Sequence, residues 1–248
     1  MPGPATLTPA IVVGAIRYGE TSRIVRLATR DLGVQSAIAK GALRPRSRFG
    51  TTLQLLAEGT AHLIPSRGEL ATLAAFDVSD LHTGLARSVA AFHAGAALAE
   101  LVGRFVPPIP QEELYLAFRS GVGMLEVAPD GAVEVVGLAA LWRFVAALGV
   151  SPSLDACARD AVAVEGGTAA FSIDEGGVLC GRCAAGHAPI RLAAGDREAL
   201  GFFLDGTGEV PDLDPPHAAA HRRLLARWVA RHLGESELPA MSLWLRRR

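Results

Sequence analysis

Five short apolar or alternating runs occupy the first 80 positions, at 11–16, 23–29, 33–40, 53–64 and 70–78, with turn residues between them. Runs of this length and spacing predict five β-strands. In the third run Val34, Ser36, Ile38 and Lys40 fall on one face and Gln35, Ala37 and Ala39 on the other, as a pleated strand requires. The small side chains suit a small, tightly curved closed barrel, and both an OB-fold and an SH3-like barrel are built from five such strands. Residues 1–9, with three prolines and a glycine, are predicted to be a loose tail or an extended lead-in.

Beyond His82 the period changes from two to 3.6. Leu85, Val89, Phe92, Ala96, Ala99 and Val102 recur at helical spacing, which predicts a helix running to Phe105 and ending before Pro107 and Pro108. Leu114, Phe118, Val122 and Leu125 predict a second helix over 111–126, and Leu141, Phe144, Val145 and Leu148 a third over 137–148. From 149 to 190 helical periodicity is lost, and Gly, Asp, Ser and all three cysteines collect in a loop-rich insert. Helices return at 194–204 and 217–233, divided by an acidic turn. The expected organisation is an α+β multidomain chain: a barrel over 1–80, a first helical part over 81–150, the insert over 151–192 and a second helical part over 193–248.

Composition changes this picture little. A chain of 248 residues, half of them hydrophobic, can bury a sizeable core. It has no basic leader followed by an apolar run, and no uninterrupted apolar stretch of the ~18 residues a membrane span needs. It therefore reads as soluble and cytoplasmic, with no membrane partner.

The location of charge matters more than its total. Between Arg17 and Gly50 there are eight basic residues (Arg17, Arg23, Arg26, Arg30, Lys40, Arg44, Arg46 and Arg48) against Glu20 and Asp31, a local balance of +6 in a chain whose net charge is −1. Lys40 is the only lysine. Clustered cations of this kind suit a polyanion, and a solvated face with scattered arginines is the bland alternative. Arg44, Arg46 and Arg48 alternate along a proline-containing loop that ends on Phe49, so cations for phosphates and a ring for a base fall together. The candidate DNA-binding residues are Arg17, Arg23, Lys40, Arg44, Arg46, Arg48 and Phe49; Tyr18 is a second possible stacking ring. Arginines near the C-terminus, from Arg222 onward, either extend this footprint or complement helix dipoles.

Cys180 and Cys183 form a C-x-x-C knuckle, and Cys157 lies 23 residues upstream. Three thiolates on this spacing can hold one zinc ion in a small ribbon. The fourth donor is open between Asp160, which stands where a second C-x-x-C would end, His187 and water. Buried free cysteines are the structural alternative. No P-loop, dinucleotide fingerprint, catalytic triad or paired carboxylates are present, so motor and hydrolase classes have no residues to stand on and the chain reads as a non-enzyme.

Taken in order, the words Arg17-Tyr-Gly-Glu-Thr-Ser-Arg23, Thr29 with Gly33, Ala39-Lys-Gly-Ala42, Arg44 with Ser47-Arg-Phe-Gly50, Leu53-Gln54, Arg143-Phe144, Leu148-Gly149, Pro152, Cys157, Phe171, Gly176-Gly-Val-Leu-Cys180 and Cys183 resemble the RecO family of bacterial DNA repair proteins over nearly the whole chain. The resemblance implies an N-terminal OB-fold, a helical domain and a zinc-ribbon-like insert holding one structural Zn2+ per chain. It implies a recombination mediator, nucleoid-associated, that binds single- and double-stranded DNA, anneals complementary strands without ATP, and works with RecR and the single-strand DNA-binding protein. The family's zinc pattern has two C-x-x-C arms, and Asp160 departs from it. A reading of another class makes the barrel a docking scaffold, with grooves around 85–105 and 138–148 binding partner proteins.

Overall fold

The structure is a computed structural model that describes residues 5–66, 68, 70–185, 189–234 and 237–246. Its N-terminal strands are β1 (Thr6–Tyr18), β2 (Ser22–Thr29), β3 (Gly33–Ala39), β4 (Glu58–Ile64) and β5 (Leu70–Asp80). They close into a barrel in the order β1-β2-β3-β5-β4. β3 runs parallel to β5, and β1 pairs with both β2 and β4. That closure is the Greek-key arrangement of the OB-fold, which settles the choice between barrels.

Two expectations change here. Residues 6–9 are strand rather than tail: Thr6 to Pro9 pair with Leu63 to Thr60 on β4. Pro9 is tolerated because its carbonyl, and not a missing N–H, is used, accepting from the Arg30 amide at 3.0 Å. Conversely, residues 53–57 are not part of β4. They end a long connection, 40–57, that folds back over the barrel and drops Phe49, Leu53 and Ala57 into its core beside Val12, Val25, Leu27 and Leu73.

The helical part comprises α1 (Val89–Phe105), α2 (Glu112–Val127), α3 (Val133–Ala147), α5 (Ala194–Asp205), α6 (Pro215–His232) and α7 (Pro239–Leu245). Ser88 caps α1, its hydroxyl accepting from the Ala91 amide, a contact worth about 1 kcal/mol. α1 ends before Pro107, whose ring disfavours helix at the preceding residue. α3 is the central element: Leu138, Leu141, Trp142, Phe144 and Val145 are fully buried. Most of the stretch 138–145 is therefore core, and only Arg143 and residues 146–148 reach the surface. On α1 the buried face is Ala91, Ala94, Leu98, Leu101 and Val102, whereas Val89 and Phe92, which share the helical spacing, are 71% and 42% exposed. α7, absent from the sequence reading, packs Met241 and Trp244 against the body.

The insert between α3 and α5 carries a three-stranded sheet, β7-β6-β8, from β6 (Ala169–Ser172), β7 (Gly177–Leu179) and β8 (Ile190–Leu192), with a single helical turn, α4 (Gly181–Ala184). Phe171 and Val178 are buried in the same cluster as the helical core. Phe171 meets Trp228 at 5.9 Å, and Trp228 meets Trp142 at 6.0 Å. α6 also holds the insert from its surface, through Arg231 to Asp174 and His232 to the Ile173 carbonyl. Arg222 is buried against Glu134. These arginines anchor structure rather than extend a basic footprint.

Barrel and helices share a core. The outward residues Ile11, Val13, Ala28 and Val34 belong to the helical cluster. Gly33, at φ +69°, sits where a Cβ would lie 2.2 Å from the Pro107 and Ile109 carbonyl oxygens, and the Val34 amide donates to Pro107. At the far side of the junction His82 is 7% exposed and bonds Glu126 through Nδ1 at 2.6 Å. Glu58, 3.5 Å from its Nε2, is tied in turn to Arg119.

Candidate nucleic-acid interface and metal centre

The strand register brings the basic residues to one end of the barrel. Arg17 on β1 is directly opposite Arg23 on β2, which is opposite Ala39, the last residue of β3. Lys40 follows immediately. The 40–57 connection is tied to the same end: the Leu43 amide donates to the Thr21 carbonyl at 2.8 Å, and the Gly41 amide to the Ser22 hydroxyl. The loop bearing Arg44, Arg46 and Arg48 therefore lies beside the β1–β2 hairpin that bears Arg17.

Lys40, Arg44, Arg46 and Arg48 are exposed, and none is ion-paired among the described residues. Arg17 is exposed and donates to the hairpin carbonyls of Gly19 and Glu20, which stiffens the turn. Arg23 is half-buried, one guanidinium nitrogen donating to the Leu53 carbonyl. Arg30, counted in the cluster, is committed to Asp31 at 2.8 Å. Like charges held together without counter-ions raise the local potential and attract an anion.

Phe49 is placed otherwise. It is 1% exposed and lies in the barrel core, with the Arg48 guanidinium 5.1 Å from its ring centroid on the outer side. An enclosed ring cannot stack on a base, so Phe49 holds the loop down and leaves Arg48 outside. Tyr18, at the hairpin tip, is 52% exposed.

Arg26, counted in the cluster, lies apart from the barrel end. Arg26 on β2 alternates with buried Val25 and Leu27 and so points outward, where its Cδ and Nε would lie 3.9 Å from a Cβ placed on Gly103 of α1. Burial, and then the charge of Arg104, hold the Arg26 pKa below its usual value. The outward placement follows from the strand period, but the approach of a helix 78 positions later does not.

In the insert Cys157, Asp160, Cys180 and Cys183 each present one donor atom, all within 4.8 Å of one another. Asp160 Oδ2 is 3.4 Å from Cys180 Sγ and 3.2 Å from Cys183 Sγ. A tetrahedral zinc with its usual Zn–S and Zn–O bonds would separate such atoms by about 3.5 Å, so the four donors fit that ion. The Cys157–Ala161 turn is held by the Ala161 amide on the Cys157 carbonyl, with Ala161 at φ +58°. The Cys183 amide points at Cys180 Sγ, as in a metal knuckle. Burial opposes ionisation of Cys157, but backbone amides of Cys180, Arg159 and Asp160 bring its pKa below that of an ordinary thiol. Hydrogen bonds from Cys157, Arg182 and Cys183 hold the Asp160 carboxyl well below the usual carboxylate range. Arg182, 2.8 Å from Asp160 Oδ2, offsets part of the negative charge of three thiolates and a carboxylate. His187 lies outside the described residues.

Among the described residues no helix is long and apolar enough to cross a membrane. Two family models match the chain: one described as "Recombination protein O N terminal" over residues 4–82, and one as "Recombination protein O C terminal" over residues 87–241. A protein named DNA repair protein RecO from Anaeromyxobacter dehalogenans (strain 2CP-C) is 34% identical over 235 residues, covering 90% of each chain. One of the same name from Rhodopirellula baltica is 35% identical over 213 residues, covering 83% of this chain and 76% of its own. Another, from Symbiobacterium thermophilum, is 31% identical over 201 residues, covering 79% and 78%.

Proposed function

The chain belongs to the RecO family of DNA repair and recombination proteins, and from that premise we propose that it is a non-enzymatic recombination mediator that binds single- and double-stranded DNA and anneals complementary strands without ATP. The observation that carries this is the group of cations at one end of the barrel, Arg17, Arg23, Lys40, Arg44, Arg46 and Arg48, gathered from a hairpin and a loop. Bound phosphates release counter-ions, and neutralising two strands lowers their mutual repulsion, so pairing proceeds with no coupled hydrolysis. In this reading the protein delivers strands coated by the single-strand DNA-binding protein to recombinase together with RecR.

The metal centre has a structural part. Cys157, Asp160, Cys180 and Cys183 would hold one zinc per chain, and bound zinc would supply a cross-link between the 157–161 turn and the β7–α4 knuckle. The insert rests on Trp228 and α6, so this cross-link steadies the helical body and performs no chemistry on DNA.

The test is annealing of complementary oligonucleotides, followed by fluorescence quenching, with and without ATP and magnesium. Equal acceleration in both conditions is expected. Acceleration only with ATP, or none in either, refutes the reading.

A further inference from the structure

Where the barrel meets the helices, three carboxylates crowd one imidazole. Glu58 on β4 stands directly opposite Asp80 on β5, a cross-strand pair of like charges that is destabilising unless a cation lies near both. Glu126 of α2 is the third carboxylate beside His82, and Asp80, His82 and Glu126 bring donor atoms within 4.8 Å of one another. Among the described residues the one guanidinium paired with these carboxylates is that of Arg119, 2.7 Å from Glu58 Oε1. Three carboxylates against one guanidinium leave two negative charges, which a divalent cation would balance.

The imidazole turns this acidic corner into a site. His82 is 7% exposed, and its amide donates to Asp80 Oδ1 at 2.7 Å. Its Nδ1 is 2.6 Å from Glu126 Oε2, and Glu126 Oε1 accepts from the Gly84 amide, so the ring orientation is fixed. With its proton on Nδ1, the ring presents a lone pair at Nε2. That atom is buried and has no hydrogen-bond partner among the described residues, although Glu58 Oε2 faces it at 3.5 Å. A second proton would draw the carboxylate in to the ~2.7–2.9 Å of a charge-assisted hydrogen bond. Two donors on one tetrahedral ion, with bonds of about 2.1 Å, stand about 3.4 Å apart. The observed separation is that of a shared ion. Glu126 on Nδ1 with an ion at Nε2 also reproduces the carboxylate–histidine–metal order that orients imidazole ligands. Glu58, Asp80 and His82 line one cavity of about 650 Å³, with Ser79 and Ser120 in its wall, which leaves room for water to complete the coordination.

We propose that the junction of barrel and helices carries a second metal site, a divalent transition-metal ion held by His82 Nε2 and the Glu58 carboxylate, with Asp80 at its open side, Glu126 orienting the ring, and water in the remaining positions. Imidazole, carboxylate and water donors suit Mn2+ and Zn2+, and the lack of sulfur among them separates this site from the cysteine centre. Bound metal ties the start of β4, through the His82 ring, to α2.

The probe is Mn2+, a hard ion that thiolates bind poorly, titrated into the full chain and followed by the EPR signal of the free ion. The expected result is one Mn2+ taken up per chain, with paramagnetic broadening of the His82 ring resonances in NMR and a thermal midpoint that rises with Mn2+ concentration. Glu126→Gln weakens uptake about 10–100-fold, the usual cost of a lost orienting partner. Glu58→Gln, which keeps the shape of the side chain and removes a donor, weakens it by at least as much. No uptake by the wild type overturns the site, as does uptake that leaves the His82 ring signals sharp or that Glu58→Gln does not weaken. Should either variant fail to fold, the ring broadening in the wild type decides, because it needs no substitution.

Discussion

Replacing Arg44, Arg46 and Arg48 together by Ala removes half of the six barrel-end cations while leaving Arg17, Arg23 and Lys40 in place. All three side chains are exposed, and none is ion-paired among the described residues, so the cost to folding is small; the contact of Arg48 with the Phe49 ring is worth about 0.5–1 kcal/mol. Each phosphate neutralised on a single strand contributes about −0.7 to the slope of log affinity against log salt. Six such contacts give a slope of about −4, and the triple variant one of about −2. Tripling the salt from about 0.05 M then weakens the wild type about a hundredfold and the variant about tenfold. Anisotropy of a labelled oligo-dT over that range reads both slopes directly. Equal slopes would mean that the loop does not touch the backbone, and a flat wild-type line would remove direct DNA binding altogether.

Other residues make separable predictions. Phe49→Ala empties part of the barrel core and should lower stability by about 3–5 kcal/mol; calorimetry checks this, and lost DNA binding with an unchanged melting temperature would contradict the buried placement. Gly33→Ala sets a methyl against two carbonyl oxygens at a positive φ, costing about 3 kcal/mol at the junction of barrel and helices; an unchanged denaturant midpoint would refute that contact. Metal analysis of protein purified without chelator should find one zinc per chain, lost in Cys183→Ser and bound more tightly in Asp160→Cys; no metal in the wild type ends the proposal. His221, buried against Phe203, has its pKa lowered by burial despite the charge of Asp196. The unfolded chain therefore binds the extra proton, and stability from this group is lost as pH falls below the ordinary value of 6.5. His221→Leu should flatten the melting temperature between pH 7 and 5, and an unaltered profile would exclude the effect.

Much of the architecture is legible in consecutive residues. The period-two runs place β2, β3 and β5 within a residue or two of their observed bounds, and the helical repeats do the same for α2, α5 and α6. Strand and helix geometry sort neighbouring side chains onto faces, and that sorting is a local property of the chain. The cation cluster and the cysteine knuckle are legible for the same reason, since their members lie close in sequence.

What tertiary structure alone decided concerns partners that are distant in the chain. Phe49 follows three alternating arginines and reads as exposed; it is core because the 40–57 connection folds back over the barrel end. Thr6 to Pro9 become strand only because β4 supplies an edge to pair with. The C-x-x-C spacing favours Asp160 as the fourth donor beside the thiols, but only the fold brings its Oδ2 within 3.4 Å of Cys180 Sγ and Cys183 Sγ. Arg26 comes up beside Gly103 because α1 packs across β2, and Ile11, Ala28 and Val34 of the same outer sheet face are buried in the helical core while Ile16 and Tyr18 are left open. Periodicity assigns a residue to a face, but what covers that face is determined by elements that local sequence does not contain.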